Sequence, residues 1–328
     1  MSKIKLLYIT HGSNDFMDDQ LFMGLHKFEN TFDIYYHISG SERGRPKDIY
    51  ERSQNIEYLW KDTWLHIAER YKSWDKNLKY DVCIVGQIWP QNQEAFLEIQ
   101  HTLQENAKVA VLYAVDDGGP QYECKIPHNY MFYNNVVDNF FKAYTPLSCP
   151  YELAYPINND KIEYSINCQL GLTCQTRLPV VESVNKYVIN NNIKDAKVSL
   201  WHSGKIIIGQ DERTPTDKYW SVLNKSKIII HDRGTGFDAY RFWEGMATGN
   251  IVLCSPNNIY EINQTPLPPN IWIWKNDDDL FSLLDRAMNL TQDEILKIRD
   301  ISKKFIMQYH LPHHRLEKIF HYLNVDLK

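Results

Sequence analysis

The sequence predicts an α/β protein built from two Rossmann-like halves, and three observations carry that prediction. With 328 residues the chain is too long for one ordinary hydrophobic core and divides most simply into two domains. Continuous apolar runs such as KIKLLYIT and KIIIHD read as strands buried on both faces, as in a parallel sheet. Segments of helical period separate these runs, and strands alternating with helices build an open parallel sheet.

In chain order, KIKLLYIT is the first strand, and its apolar stretch is too short for a signal peptide. YDVCIVGQIW and KVAVLYAV are further strands of the first half. Between the first strand and YDVCIVGQIW, NIEYLWKDTWLHIAERYKSW reads as a helix, with Ile56, Leu59, Trp60, Ile67 and Tyr71 roughly along one face. The pattern breaks over residues 145–160, where TPLSCPYELAYPINND holds three prolines and no sustained period. The domains are therefore placed at 1–150 and 161–311, with a linker over 151–160 and a C-terminal helix, about 312–328, that returns to the first domain. In the second half KIEYSINCQL and AKVSLWHSG are strands and RLPVVESVNKYVINNN is a helix. TPTDKYWSVLNKS is helical, with Thr214 as N-cap and Pro215 at the first helical position. KIIIHD, a glycine turn, the helix FDAYRFWEGMAT with Gly249 as its C′ residue, and the strand NIWIW follow. NDDDLFSLLDRAMNL is a helix with acids at its positive end, and helices fill about 291–325.

Composition narrows the function. The chain is 43% hydrophobic and 23% charged, with 36 Lys and Arg against 41 Asp and Glu, a net charge of −5. That balance argues against a protein that coats nucleic acid. No apolar run reaches membrane-spanning length, and six cysteines without a C-x-x-C pair read as reduced thiols in a cytoplasmic protein.

The densest chemistry lies in HDRGTGFDAYRFWEGMATGNIVLC. A strand delivers the chain to a turn at Arg233, Gly234, Thr235 and Gly236, whose glycines let a ligand approach the backbone. The helix start behind such a turn suits a phosphate. Arg241 and Glu244 share a helix face, as do Tyr240 and Glu244. A carboxylate there accepts from a ribose diol and an arginine clamps a diphosphate, which together make a nucleotide-sugar site. The alternative is an exposed Arg241–Glu244 ion pair of about 0.3–0.5 kcal/mol beside a structural turn.

The stretch YWSVLNKSKIIIHDRGTGFDAYRFWEGMATGNIVLC resembles the donor-binding region of GT-B glycosyltransferases, nearest the spore-maturation-type and exostosin-like groups. YSINCQLGLTCQTRLPVVESV and QYHLPHHRLEKIFHYL resemble the opening and closing segments of the same domain. The resemblance implies two Rossmann-like domains facing a central cleft. It places Glu244 on the ribose, and Arg241 with the amides of Gly234 to Gly236 on the diphosphate. Arg177 and the loop from Gly171 would add to the phosphate site. Many retaining relatives carry an acid eight residues before the helix glutamate; here Gly236 stands there, and Asp238 is the nearest acid.

LWHSGKIII offers His202 to the donor and Lys205 to the leaving diphosphate, or else it is a plain turn with a solvated lysine. YITHGSND sets His11 and Asp15 after the first strand, and YAVDDGGP sets Asp116 and Asp117 after a later one. His11, Asp116 and Asp117 are candidate general bases and Asp15 a candidate acceptor ligand, with helix or turn capping as the alternative. DDD at 277–279 reads as a helix start, HLPHH lacks metal-ligand partners, and the one-turn spacing of Trp60 and Trp64 reads as core packing. No metal or cofactor is expected. The expected activity is transfer of a sugar, first a UDP-sugar, to a glycan or other hydroxyl acceptor. A nucleic-acid acceptor is the less favoured case, with Arg43, Arg45 and Lys47 its thin basic footprint. The alternatives are an epimerase or hydrolase of the same fold and a non-catalytic nucleotide-sugar-binding partner.

Overall fold

The computed structural model describes residues 3–11, 21–22, 24–39, 70–113, 123–133, 145–146, 162–203, 205–209, 214, 221–234, 242, 245–246, 248–255, 268–309 and 311–327. The chain forms two compact units, Met1–Ala154 with His310–Lys328, and Tyr155–Tyr309. The expected linker over 151–160 lies outside the described residues.

The first unit holds a seven-stranded parallel sheet. Its strands are β1 (Ile4–His11), β2 (Phe32–Ser39), β3 (Lys72–Ser73), β4 (Tyr80–Val85), β5 (Leu103–Tyr113), β6 (Tyr130–Tyr133) and β7 (Thr145–Pro146), in the order β3-β2-β1-β4-β5-β6-β7. The apolar runs form the centre because a strand covered on both faces needs no polar alternation: Leu6 to Ile9 of β1 and Cys83 to Val85 of β4 are fully buried. Helix α1 (Pro90–Ile99) packs Ala95, Phe96 and Ile99 into the cluster that holds Leu7, Cys83 and Val111.

The helix expected over 55–74 falls outside the described residues up to 69, and its last residues are not helical. Lys72 and Ser73 instead add to the sheet edge opposite Tyr35 and Tyr36. Tyr71 is buried by edge-on packing against Phe22, and its hydroxyl donates to the Phe22 carbonyl at 3.1 Å. Strand pairing here overrides the helical period.

The second unit holds a six-stranded sheet. After β8 (Tyr164–Gly171) come α2 (Arg177–Asn190), β9 (Lys197–His202), β10 (Lys205–Gly209), β11 (Ser226–His231), β12 (Ile251–Cys254), β13 (Ile271–Ile273), α3 (Asp277–Met288) and α4 (Gln292–Tyr309). The order is β10-β9-β8-β11-β12-β13, parallel except for the β9–β10 hairpin. The acids of the DDD run start α3: Asn276 caps it by accepting from the Asp279 N–H at 2.9 Å, while Asp279 accepts from the Lys275 N–H. Thr214, expected as an N-cap, gives its hydroxyl to Gln169 at 2.6 Å, and residues 215–220 lie outside the described set.

The chain ends in α5 (Pro312–Tyr322), which belongs to the first unit. Phe320 stacks on Phe32 and meets Phe28 edge-on, and Tyr322 meets Phe132. Gly24 lets the helix start approach: a Cβ there would lie 2.7 Å from that of Pro312.

This docking makes stability pH-dependent. His313 lies with its ring centroid 4.0 Å from that of His314. Burial, followed by repulsion from His314, Lys27 and His26, pushes its pKa down to about 4. His314 is also lowered, by burial and then Arg315, and its Nδ1 accepts from the Leu311 N–H at 3.0 Å, a bond that protonation breaks. A histidine whose pKa is lower folded than unfolded binds more protons when unfolded, so folding loses free energy as pH falls. The urea midpoint should therefore be constant above the unfolded value near 6.5 and should fall between there and about 4. His313→Gln should flatten that fall, and an unchanged profile in this variant would contradict the assignment.

Candidate functional site

The order of the second sheet fixes where its loops part. From β8 the chain crosses through α2 to β9 on one side; from β11 it goes on to β12 and β13 on the other. The carboxyl ends of β8 and β11 thus flank a topological switch point, where open α/β sheets bind ligands. Gly171 ends β8 and residues 172–176 follow it, and Asp232, Arg233 and Gly234 follow β11.

Side chains of both loops bind them together. The Arg177 guanidinium donates to the carbonyl of Gly171 at 2.7 Å, of Arg233 at 2.7 Å and of Asp232 at 3.3 Å. Asp232 is completely buried and accepts the Thr176 hydroxyl at 2.6 Å on one carboxylate oxygen. The Ser255 hydroxyl, just past β12, donates to its other oxygen. Because Thr176 is the N-cap of α2 and its first turn holds no acid, Asp232 supplies negative charge at the positive end of that helix. Leu172 donates its N–H to the Trp201 carbonyl at 2.6 Å, which joins the β8 loop to β9.

The helix after the glycine turn lies tight on the sheet. His231 is buried with its ring 5.6 Å from that of Phe242, and a Cβ at Gly245 would come within 2.8 Å of Val252. Glycine at this position lets the helix backbone approach β12. Gly249 has φ +73° and ends the helix, with its N–H donating to the Met246 carbonyl.

Of the residues singled out from the sequence, Gly171, Arg177, Arg233 and Gly234 meet at this switch point. Arg177 is 8% exposed and gives N–H groups to three main-chain carbonyls, which braces the two loops. No Cβ neighbour would lie within 4 Å of Gly171, so its main chain is open on that side. His202 and Lys205 are exposed and face each other across the β9–β10 hairpin, with Ser203 at φ +49° in the turn. This hairpin sits at the carboxyl end of β9, whose Trp201 pairs with Gly171. Thr235, Gly236, Tyr240, Arg241 and Glu244 lie outside the described residues, as do Asp15, Asp116 and Asp117. His11 ends β1, and its side chain is outside the described set.

Sequence reasoning missed Thr176, Asp232 and Ser255 as a connected group. It also missed a neutral network at the switch point of the first sheet, between β1 and β4. There the Ser39 hydroxyl donates to the Asn92 side-chain carbonyl, and the Asn92 amide donates to the Gln87 carbonyl at 2.8 Å. Gln93 donates to the carbonyls of Ile88 and Glu123 and accepts the Lys125 N–H. A run of amides directly after a buried strand and a helix-starting proline, GQIWPQNQ, was the available signal.

Among the described residues no group of three or more His, Cys, Asp or Glu is arranged to hold a metal ion, and no helix is long and apolar enough to cross a membrane.

No protein-family model matches the chain, and no curated protein matches it. Solved structures do. An alpha-glucosyltransferase in complex with UDP and a 13-mer DNA is similar at TM-score 0.54 and 9% identity, over 99% of this chain and 100% of the other. Anabaena HepE in complex with UDP is similar at TM-score 0.53 and 8% identity, over 98% of this chain and 100% of the other. At such identity the likeness establishes architecture: the chain has the GT-B fold.

Proposed function

We propose that this protein is a glycosyltransferase that binds a nucleotide-sugar, first a UDP-sugar, at the carboxyl edge of its second sheet. The observation that carries the reading is the braced pair of loops after β8 and β11, which hold Arg233 and Gly234 at the switch point. Support also comes from full-length likeness to two GT-B structures that contain UDP.

In this reading Glu244 binds the ribose, and Arg241 with the amides of Gly234, Thr235 and Gly236 binds the diphosphate. Tyr240 and Arg233 complete that side, and His202 and Lys205 reach the donor from the β9–β10 hairpin. The acceptor hydroxyl oxygen attacks the anomeric carbon, and the bond from that carbon to the diphosphate breaks. The nucleoside diphosphate leaves with the bonding electrons; the hydroxyl proton goes to a base if the sugar's configuration inverts, and to the departing diphosphate if it is retained. His11, Asp116 and Asp117 are the candidates for that base, and Asp15 for an acceptor ligand. Rate comes from orienting the two substrates and from cationic and amide groups that stabilise the leaving diphosphate.

The test is a thermal-shift panel of UDP, GDP, CMP and dTDP with their common sugars. A ligand held at a hundred times its Kd should stabilise the fold by about 2.7 kcal/mol. No shift with any nucleotide ends the proposal. With the donor identified, Glu244→Ala should weaken it about tenfold through lost charged hydrogen bonds to the ribose. Unchanged affinity would mean that the ribose lies elsewhere. Incubation with donor alone separates transfer from epimerisation or hydrolysis, and glycan and DNA acceptors run side by side decide the acceptor class.

A further inference from the structure

We infer that Asp232 is a positioning residue for the nucleotide site, acting through its bonds to Thr176 and Ser255 to hold three neighbouring loops in one arrangement. The inference rests on the proposed nucleotide site and goes beyond it, because no residue in this clasp needs to touch the ligand.

Asp232 stands one residue past β11, and its carboxylate is wholly enclosed. One oxygen receives the Thr176 hydroxyl, which belongs to the loop after β8. The other receives the Ser255 hydroxyl, which belongs to the loop after β12. Its main-chain carbonyl receives Arg177, and Ser255 returns its own N–H to the His231 carbonyl at 3.1 Å. The three strands β8, β11 and β12 are adjacent, so one side chain ties the ends of three neighbours across the switch point.

A buried carboxylate is a costly way to join loops unless it is fully hydrogen-bonded, and both oxygens here have a hydroxyl donor. The tie is also specific in chemistry. Two hydroxyls each need an acceptor, and a carboxylate offers two at fixed separation, whereas an amide offers one acceptor and one donor. Asparagine at 232 would therefore accept from one hydroxyl and donate to the other, which must then turn its own O–H away to a weaker acceptor, as Thr176 could to the Cys174 sulfur at 3.2 Å. The next residues, Arg233 and Gly234, begin the turn proposed for the diphosphate, so a loosened Asp232 would blur the geometry of the donors that follow. A loop that must be ordered on binding lowers apparent affinity, which is the loss expected when the clasp is cut.

The experiment measures UDP binding by calorimetry, or binding of whichever panel nucleotide the protein takes, on the full chain. The variants are Thr176→Val, Asp232→Asn and the double substitution, with Thr176→Ser as the conservative rescue. Tyr187→Phe is the control, since it removes a 2.6 Å bond to Asp285 between α2 and α3 in the same unit. Thr176→Val and Asp232→Asn should each weaken binding about tenfold, and the double variant by less than the product of the two, because the two side chains share a bond. Thr176→Ser should restore wild-type affinity. Tyr187→Phe should lower the Tm and leave affinity alone. If Thr176→Val folds and binds as tightly as wild type, the clasp has no positioning role. Affinity lost to the same extent in Tyr187→Phe means that binding follows general stability, which also overturns the inference. Should Asp232→Asn fail to fold, Thr176→Val and its serine rescue decide the matter. A wild-type protein that binds no nucleotide overturns the site itself, an outcome distinct from a binding protein that is indifferent to the clasp.

Discussion

Arg177→Ala should destabilise the protein by about 3–5 kcal/mol and abolish measurable nucleotide binding. Three carbonyls, at Gly171, Asp232 and Arg233, each lose an N–H donor, and they lie on the two loops that flank the switch point. The Gly171 carbonyl keeps the Thr173 N–H at 2.9 Å, and an acceptor left unmet at Asp232 or Arg233 costs on the order of 1–3 kcal/mol, with partial recovery as water enters. Urea unfolding measures the first effect and calorimetry with UDP the second. Arg177→Lys separates a brace from a phosphate ligand. An ammonium keeps the charge but cannot span three carbonyls in the planar fork that a guanidinium offers. If the lysine variant keeps wild-type affinity, the charge acts on the ligand and the bracing role is secondary. If it loses affinity almost as alanine does, the main chain that Arg177 holds is what matters.

The same contrast explains how much of this protein its sequence discloses. The strands of both sheets that carry continuous apolar runs were legible, because full burial on both faces leaves no polar position to confuse the period. FDIYYHIS, which forms β2, carries Asp33 and His37 within an aromatic run, and these polar positions hide it as a buried strand. The edge strand at Lys72–Ser73 was hidden by a helical period that runs up to it, since pairing with β2 is a long-range event no local pattern contains.

At the site the difference has another cause. Glycine turns and charged helix faces announce themselves by residue type, so Arg233 and Gly234 stand out in the sequence, and the resemblance adds Gly171 and Arg177. Their partnerships do not stand out. Thr176, Asp232 and Ser255 are 56 and 23 residues apart along the chain, and only the strand order makes them neighbours. Arg177 is set beside the phosphate by the resemblance alone. Its direction, inward to carbonyls, is a property of packing that residue type does not encode.

Gly249→Ala should be among the most destabilising single-methyl additions in the second unit, at about 2–5 kcal/mol. Two independent costs combine. The residue sits at φ +73°, where an L side chain is strained by about 1–2 kcal/mol. The added Cβ would also lie 2.8 Å from the Arg299 Cα and 2.9 Å from its Cγ, and neither can withdraw. Arg299 is itself buried on α4 and pinned by hydrogen bonds to the carbonyls of Asn224 and Ser226 at 2.9 and 3.0 Å. Relief must therefore come from the helix that Gly249 terminates, which is the helix proposed to present Arg241 and Glu244 to the donor. The variant should consequently lose nucleotide affinity as well as stability, whereas Gly171→Ala, with open space around the new methyl and no positive φ, should leave the urea midpoint nearly unchanged. Equal midpoints for the two variants would show that the turn at Gly249 moves away from α4 without resistance, and that the donor helix is not held where the close packing implies.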